Sequence, residues 1–367
     1  MNKVFLVFLT IGLFLRLYML DLPLLEFYPS RQIQTADIAR NFVINDFNIL
    51  NPVVSYLGPE YSSFLLEFPG YNFIVAVLYK VFEINELIGR LVSIIFWAMS
   101  SFFLFKIISK IVSSSHAALA VFFFSLSPLS ILTSRSFQPD QMMLAFSLGA
   151  IYFACISSSI NKRFILFSAI FASFAILTKA HAAVFTLIPA FFLLSQNFKK
   201  SLLRWSVVYL TISMTPSIIW YAYTFFEKNS RMSTQTNFEL SNWFSFNVFL
   251  NPSYYSNVFG FESNLVLLPV GIFLFAIGFF YKDWRRYLFL YIWLASIFVY
   301  FFLFNKHVMT HEYYHLPLLP VACAFISLGL HFILSLTRGL KTHFVATLVI
   351  FLLLFILMLP PTLSRAY

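Results

Sequence analysis

Long apolar runs separated by short polar interruptions dominate the chain. A window of about 20 apolar residues, the length that crosses a bilayer as a helix, fits residues 3–20, 88–110, 116–133, 140–158, 164–179, 181–197, 204–225, 263–281, 286–304, 316–336 and 343–361. The pattern predicts an all-α polytopic integral membrane protein with about eleven transmembrane helices. The first run could imitate a signal peptide, but Arg16 interrupts it. Its end (Tyr18, Met19, Leu20) also lacks the small residues a signal peptidase needs. It reads as an uncleaved span.

Two segments break the rhythm, 21–87 and 226–262. Within the first, Ile33, Ala36, Ala39, Arg40 and Val43 stand at helical spacing, which predicts an amphipathic helix over 32–44. Residues 70–82 are apolar but too short to span, which predicts a second helix lying in the interface. No internal repeat appears, so residues 1–367 read as one membrane domain.

Composition agrees with the pattern. Apolar residues make up 60% of the chain and charged residues 10%, with a mean hydropathy of +0.84. A soluble domain carries about 25% charged residues. The net charge of +10 is not a nucleic-acid stripe, because Lys and Arg fall in small clusters between the apolar runs. With a cytoplasmic N-terminus, every inner segment is basic: Lys3; Lys106 and Lys110; Lys162 and Arg163; Lys199, Lys200 and Arg204; Lys282, Arg285 and Arg286; Arg338 and Lys341. The long outer segments carry most of the acids. Cys155 and Cys323 lie in separate apolar runs and read as core or lipid-facing residues.

The concentrated polar groups gather on the expected outer side. They are Arg31 to Phe42, Glu67-Phe68-Pro69-Gly70-Tyr71, Ser134 to Asp140, Lys179 with His181, and His307 to His315. A carboxylate at Asp140 suits the N-terminus of the next span. Lys179 and Arg135 read equally as snorkelling side chains or as phosphate contacts. Arg16, about one turn inside the outer end of the first run, reads as a snorkelling or a cavity-lining residue. His311 and Tyr314 read as interfacial anchors or as ligands of metal, phosphate or sugar.

The motifs RQxxTAxIARNF, EFPxY, GRLxS, SPLSxxxSRxFxPD, TKxxA and HxYYxLPLLP, in that order, resemble the GT-C membrane glycosyltransferases. The similarity is to the family-39-like branch of protein mannosyltransferases and lipid A aminoarabinose transferases. It covers residues 1–200 and 300–320. It implies inverting transfer of a sugar from a polyprenyl-phosphate donor to a glycan, lipid or protein acceptor. It also implies an active site on the outer face of the membrane, in a bacterium the inner membrane. In that frame Asp140 and Asp37 are the catalytic candidates. Arg31, Gln32, Arg135, Lys179, His311 and Tyr314 are the substrate-binding candidates, and Glu67 is the candidate ligand of a divalent metal cation. Better-known members have an Asp-Glu pair where this chain has Arg31 and Gln32, and nearer relatives have Asp where it has Gln34. Asp37, one turn after Gln34, is the substitute base, with Glu60 and Glu67 as other carboxylates on the same segment. Two other classes fit the same composition: a transporter or flippase for a lipid-linked or polar solute, and a non-catalytic polyprenyl-lipid-binding relative. The span centres carry almost no charge and the halves do not repeat, which favours the transferase over the transporter.

Overall fold

A computed structural model describes residues 3–56, 62–158, 161–198, 202–226, 232–233, 240–281, 284–336 and 343–366. Glu60 and the inner-loop cations Lys199, Lys200, Lys282, Arg338 and Lys341 lie outside the described residues. The fold is almost wholly helical. Its helices are α1 (Lys3–Leu17), α2 (Pro29–Ile44), α3 (Gly70–Phe82), α4 (Glu86–Ile111), α5 (Ser114–Leu126), α6 (Pro128–Arg135), α7 (Asp140–Ile156), α8 (Arg163–Thr178), α9 (Ala182–Asn197) and α10 (Leu202–Phe226). They continue with α11 (Pro252–Phe261), α12 (Leu268–Phe279), α13 (Leu288–Leu303), α14 (Asn305–Thr310), α15 (Leu318–Leu336) and α16 (His343–Ala366). Each of the eleven apolar runs contains a helix. Among the described residues, α4 and α15 are long and apolar enough to cross a membrane, and the number rises to four if two bent pairs each count as one span. Those pairs are α5 with α6, bent by 64°, and the Pro252–Val266 segment with α12, bent by 100°.

The bends have local causes. Pro128 follows the end of α5 and supplies no backbone N–H to continue it. At the second bend Leu268 takes a φ of 61°, a left-handed backbone that is rare for a branched residue, and Pro269 follows.

The chain divides into two compact units. One comprises Met1–Leu15, Ser101–Leu132 and Ser245–Tyr367, and the other comprises Arg16–Ser100 and Thr133–Phe244. In the first, α12 and α15 meet backbone to backbone. A Cβ on Gly278 would lie 1.9 Å from the Phe325 carbonyl oxygen, and one on Gly329 would lie 2.0 Å from that of Leu274. Only glycine permits that approach. Ser127 Oγ donates to the Val266 carbonyl at 2.8 Å, beside the second bend.

In the second unit, α7, α8 and α9 pack through small residues. Ala150, Ala154, Ala169, Ala172 and Ala190 form one buried cluster with Ile165 and Leu194. Ser168 Oγ donates to the Ala150 carbonyl at 2.7 Å, and Thr186 and Ser147 join hydroxyls at 2.8 Å. A second cluster joins Ala39 of α2, Tyr71, Val75 and Tyr79 of α3, Val92 and Phe96 of α4, Phe137, and Met142 and Ala145 of α7. The sequence pattern missed a small three-stranded sheet: β1 (Val53–Val54), β2 (Ser62–Leu65) and β3 (Met232–Ser233). Strand β2 pairs antiparallel with β1 and parallel with β3.

Helices α2 and α3 stand where the sequence put its two interfacial helices, but α2 is rotated from the expected face. Ile33 is exposed, whereas Gln32, Thr35, Ile38, Ala39, Asn41 and Phe42 are buried. The buried polar groups are spent on hydrogen bonds, which is why a hydrophobicity pattern could not find that face. Asn41 Nδ2 donates to the Val53 carbonyl at 3.1 Å, and Thr35 Oγ1 donates to the Arg31 carbonyl at 2.7 Å.

Candidate active site

The second unit holds most of the candidate residues, and the small-residue packing of α7 on α8 sets the central pair. Asp140 is the first residue of α7, directly after Pro139. Lys179 follows α8 in an extended conformation. Both are buried, and Lys179 Nζ donates to Asp140 Oδ1 at 2.8 Å. The α7 N-terminus adds its own positive end to the field on the carboxylate. Asp140 Oδ2 has no hydrogen-bond partner among the described residues, so one acceptor oxygen of a buried, paired carboxylate is uncommitted. Lys179 does not snorkel here; it is an interior cation.

On α2 the residues Arg31, Gln34 and Asp37 form one stripe at spacing three. Arg31 forms an ion pair with Glu67 through Nη2 and donates from Nη1 to Gln34 Oε1 at 2.8 Å. Gln34 Nε2 in turn donates to Tyr56 Oη at 2.7 Å. Asp37 accepts from the Ser55 amide at 2.8 Å and from Ser55 Oγ at 2.7 Å. Arg31, Gln34 and Glu67 line a cleft of about 30 Å³ together with Phe64, Asn72 and Pro139. That volume holds a water or two. Asp37 is not among the residues that line it.

Gln32 is buried with both ends of its amide engaged by backbone. Its Nε2 donates to the Phe27 carbonyl at 2.7 Å, and its Oε1 accepts from the Phe137 amide at 2.9 Å. This fastens α2 to the turn before Asp140. Arg135 is likewise interior. It donates to the carbonyl of Tyr18 from Nη1 and to that of Met19 from Nη2 at 2.9 Å, and it reaches Glu26 at 3.4 Å.

Several members of this network were not singled out as site candidates. Arg90, in the GRLxS motif, donates to the carbonyls of Leu20 at 2.7 Å and Pro23 at 3.0 Å, so two buried guanidinium groups grip the chain that leaves α1. Tyr71 Oη lies 2.7 Å from the Gly89 carbonyl and 2.8 Å from Ser93 Oγ. Burial pushes the Tyr71 phenol well above its usual range, only partly offset by the Ser93 hydrogen bond, so it remains a proton donor. A Cβ on Gly89 would lie 2.2 Å from the Phe137 ring, so glycine is what lets that ring lie on α4. Arg16 does not snorkel; it is buried with its guanidinium 3.6 Å from the centroid of Trp97, a cation–π contact. For Arg16 and Arg90 the signal was present in the sequence: each sits inside an apolar run, near its end.

His311 and Tyr314 belong to the first unit. The rings of His307, His311 and Tyr314 stack, with His307 and Tyr314 centroids 4.9 Å apart. The neighbour His315, not singled out from sequence, is fully buried. Its Nδ1 lies 2.6 Å from Glu262 Oε1 and its Nε2 lies 2.9 Å from the Val308 carbonyl. Since a carbonyl only accepts, Nε2 donates to it, and Nδ1 and the carboxylate share one further proton.

A metal does not fit this donor set. Among the described residues there is no group of three or more His, Cys, Asp or Glu side chains that could hold a metal ion, and the Glu67 carboxylate is taken by a guanidinium.

Solved structures share this fold. The chain superposes on ArnT from Cupriavidus metallidurans bound to undecaprenyl phosphate with a TM-score of 0.66 at 14% identity, covering 94% of this chain and 63% of that one. Its fold is the GT-C glycosyltransferase fold. The GT-C likeness extends to the Archaeoglobus fulgidus oligosaccharyltransferase in complex with Zn and sulfate, with a TM-score of 0.65, 12% identity, and coverage of 99% of this chain and 53% of that one. The same organism's oligosaccharyltransferase AglB, solved with an inhibitory peptide and a dolichol-phosphate, superposes with a TM-score of 0.60 at 12% identity, covering 99% and 55%. The chain therefore spans between about half and two thirds of the length of these GT-C structures. Residues 67–229 match the family model of dolichyl-phosphate-mannose-protein mannosyltransferases. No curated protein matches the chain by sequence.

Proposed function

We propose that the protein is a multi-pass membrane glycosyltransferase with about eleven spans. In this reading it moves a sugar, with inversion, from a polyprenyl-phosphate donor to an acceptor hydroxyl at the outer face of the membrane. The observation that carries it is the buried Asp140 carboxylate, paired to Lys179 through one oxygen and unpartnered at the other, one residue from the Pro139 that lines the Arg31–Glu67 cleft. Inverting transfer needs a carboxylate that takes the acceptor proton as the hydroxyl attacks the anomeric carbon. It also needs positive charge for the departing phosphate. Arg31 supplies a cation that is held by a carboxylate until a phosphate competes for it. Asp37 remains the alternative base on α2, and Glu67 holds Arg31 in place until the phosphate displaces it. The basic segments expected on the inner side set the orientation.

The test is to incubate purified protein with a panel of polyprenyl-phosphate hexoses and pentoses and a membrane extract as acceptor source, measuring released polyprenyl phosphate. Release by the wild type and its loss in Asp140→Asn is the expected result. A wild-type protein that releases none from any donor, while still binding polyprenyl phosphate, would make this chain a lipid-binding relative instead.

A further inference from the structure

We infer that Tyr71 and Ser93 are positioning residues whose paired hydroxyls fix the turn that presents Asp140; the inference rests on the catalytic reading of Asp140. The turn 136–139 connects α6 to α7 and has little internal structure beyond the Gln138 amide donating to the Ser136 carbonyl at 2.9 Å. The Asp140 side chain is held at a single oxygen. Its place is therefore set by the backbone before it.

That turn is held from outside by side chains of α2, α3 and α4. Ser93 Oγ lies 2.8 Å from the Ser136 carbonyl and 3.2 Å from the Gln138 carbonyl. The Phe137 amide donates to Gln32. The Phe137 ring meets Tyr71 edge-on, with centroids 5.8 Å apart, and fills the space left by the missing Cβ of Gly89. Ser93 has one proton for two turn carbonyls. The Tyr71 hydroxyl, 2.8 Å from Ser93 Oγ and 2.7 Å from the Gly89 carbonyl, has one proton for those two acceptors, so the serine's orientation is coupled to the tyrosine's. Both side chains are buried. Tyr71 stands in the first turn of α3, four residues after Glu67 of the cleft, and it touches the turn before Asp140 directly. It links the loop that bears the cleft to the catalytic carboxylate without reaching substrate itself.

A merely structural pair would change stability and leave turnover alone. The experiment measures single-turnover rate and polyprenyl-phosphate affinity for Tyr71→Phe, Ser93→Ala and the double variant, beside Asp140→Asn. Tyr71→Phe keeps the ring on Phe137 and removes one oxygen, so it decides the matter even where Ser93→Ala accumulates poorly. Each single variant should lose about 10–100-fold in rate, the loss expected for a catalytic group displaced by about an ångström, with lipid affinity unchanged. The double variant should be little slower than the slower single one, because the hydroxyls act as a unit. Tyr71→Phe at the wild-type rate, with Asp140→Asn inactive, overturns the positioning role. An active Asp140→Asn instead overturns the reading on which it rests, and the two failures are distinct in the same data.

Discussion

Replacing Asp140 separates fold from chemistry at the buried ion pair. At 2.8 Å and an effective dielectric constant near 20, Coulomb attraction contributes about 6 kcal/mol. Desolvating the two ions costs several kcal/mol each, so attraction and desolvation nearly cancel and the pair adds little to stability. Removing one partner is different, because it strands the other charge in the interior at a cost of about 3–5 kcal/mol. Asp140→Leu and Lys179→Met should each be destabilised by that amount. The double variant Asp140→Leu/Lys179→Met should return to wild-type stability or above it, and all three should be inactive. Unfolding in mixed dodecylmaltoside–SDS micelles, followed by tryptophan fluorescence, closes the cycle. If the double variant loses the sum of the two single losses, the side chains are not compensating one another and the argument fails. If it regains stability and activity together, the pair has no chemical role.

Other outcomes follow from the same coordinates. Asp37→Asn should leave polyprenyl-phosphate affinity intact, since Asp37 does not line the cleft, and a wild-type single-turnover rate would remove it as the base. Gly278→Ala should be destabilised by more than the 1–3 kcal/mol typical of overpacking, because the new methyl meets a carbonyl 1.9 Å away rather than a movable side chain; near-normal thermal stability in detergent would refute that crossing. Single cysteines at positions 45 and 240 should react with an impermeant thiol reagent added to intact cells while one at 200 does not, and labelling at 200 would reverse the orientation.

Hydrophobicity made the helices legible because each apolar run contains one, and it placed α3 on its observed residues, 70–82. It could not give the bends at Pro128 and Leu268, where an apolar run continues across a break in direction. Nor could it give the buried face of α2, whose polar side chains are interior because backbone groups engage them, some of them far along the chain: the Phe137 amide donates to Gln32 across 105 positions. The motif residues were visible as letters in order, but their work was not. Asp140, Lys179 and Arg31 pair as charges should. Gln32 and Arg135 look like substrate ligands in sequence and serve backbone in the structure. His315 and Glu262, 53 positions apart, carry no local signature of their contact.

The grip of Arg90 and Arg135 on the chain after α1 also bears on how this region evolves. Both guanidinium groups hold main-chain oxygens, those of Tyr18, Met19, Leu20 and Pro23, and every residue type offers the same oxygen. Selection on that stretch therefore acts on the path of the chain and hardly on its letters. Residues 18–23 should drift freely among relatives while the two arginines, 70 and 117 positions from the oxygens they hold, stay fixed. A connection that looks unconstrained in an alignment would then be among the most tightly tethered parts of the molecule.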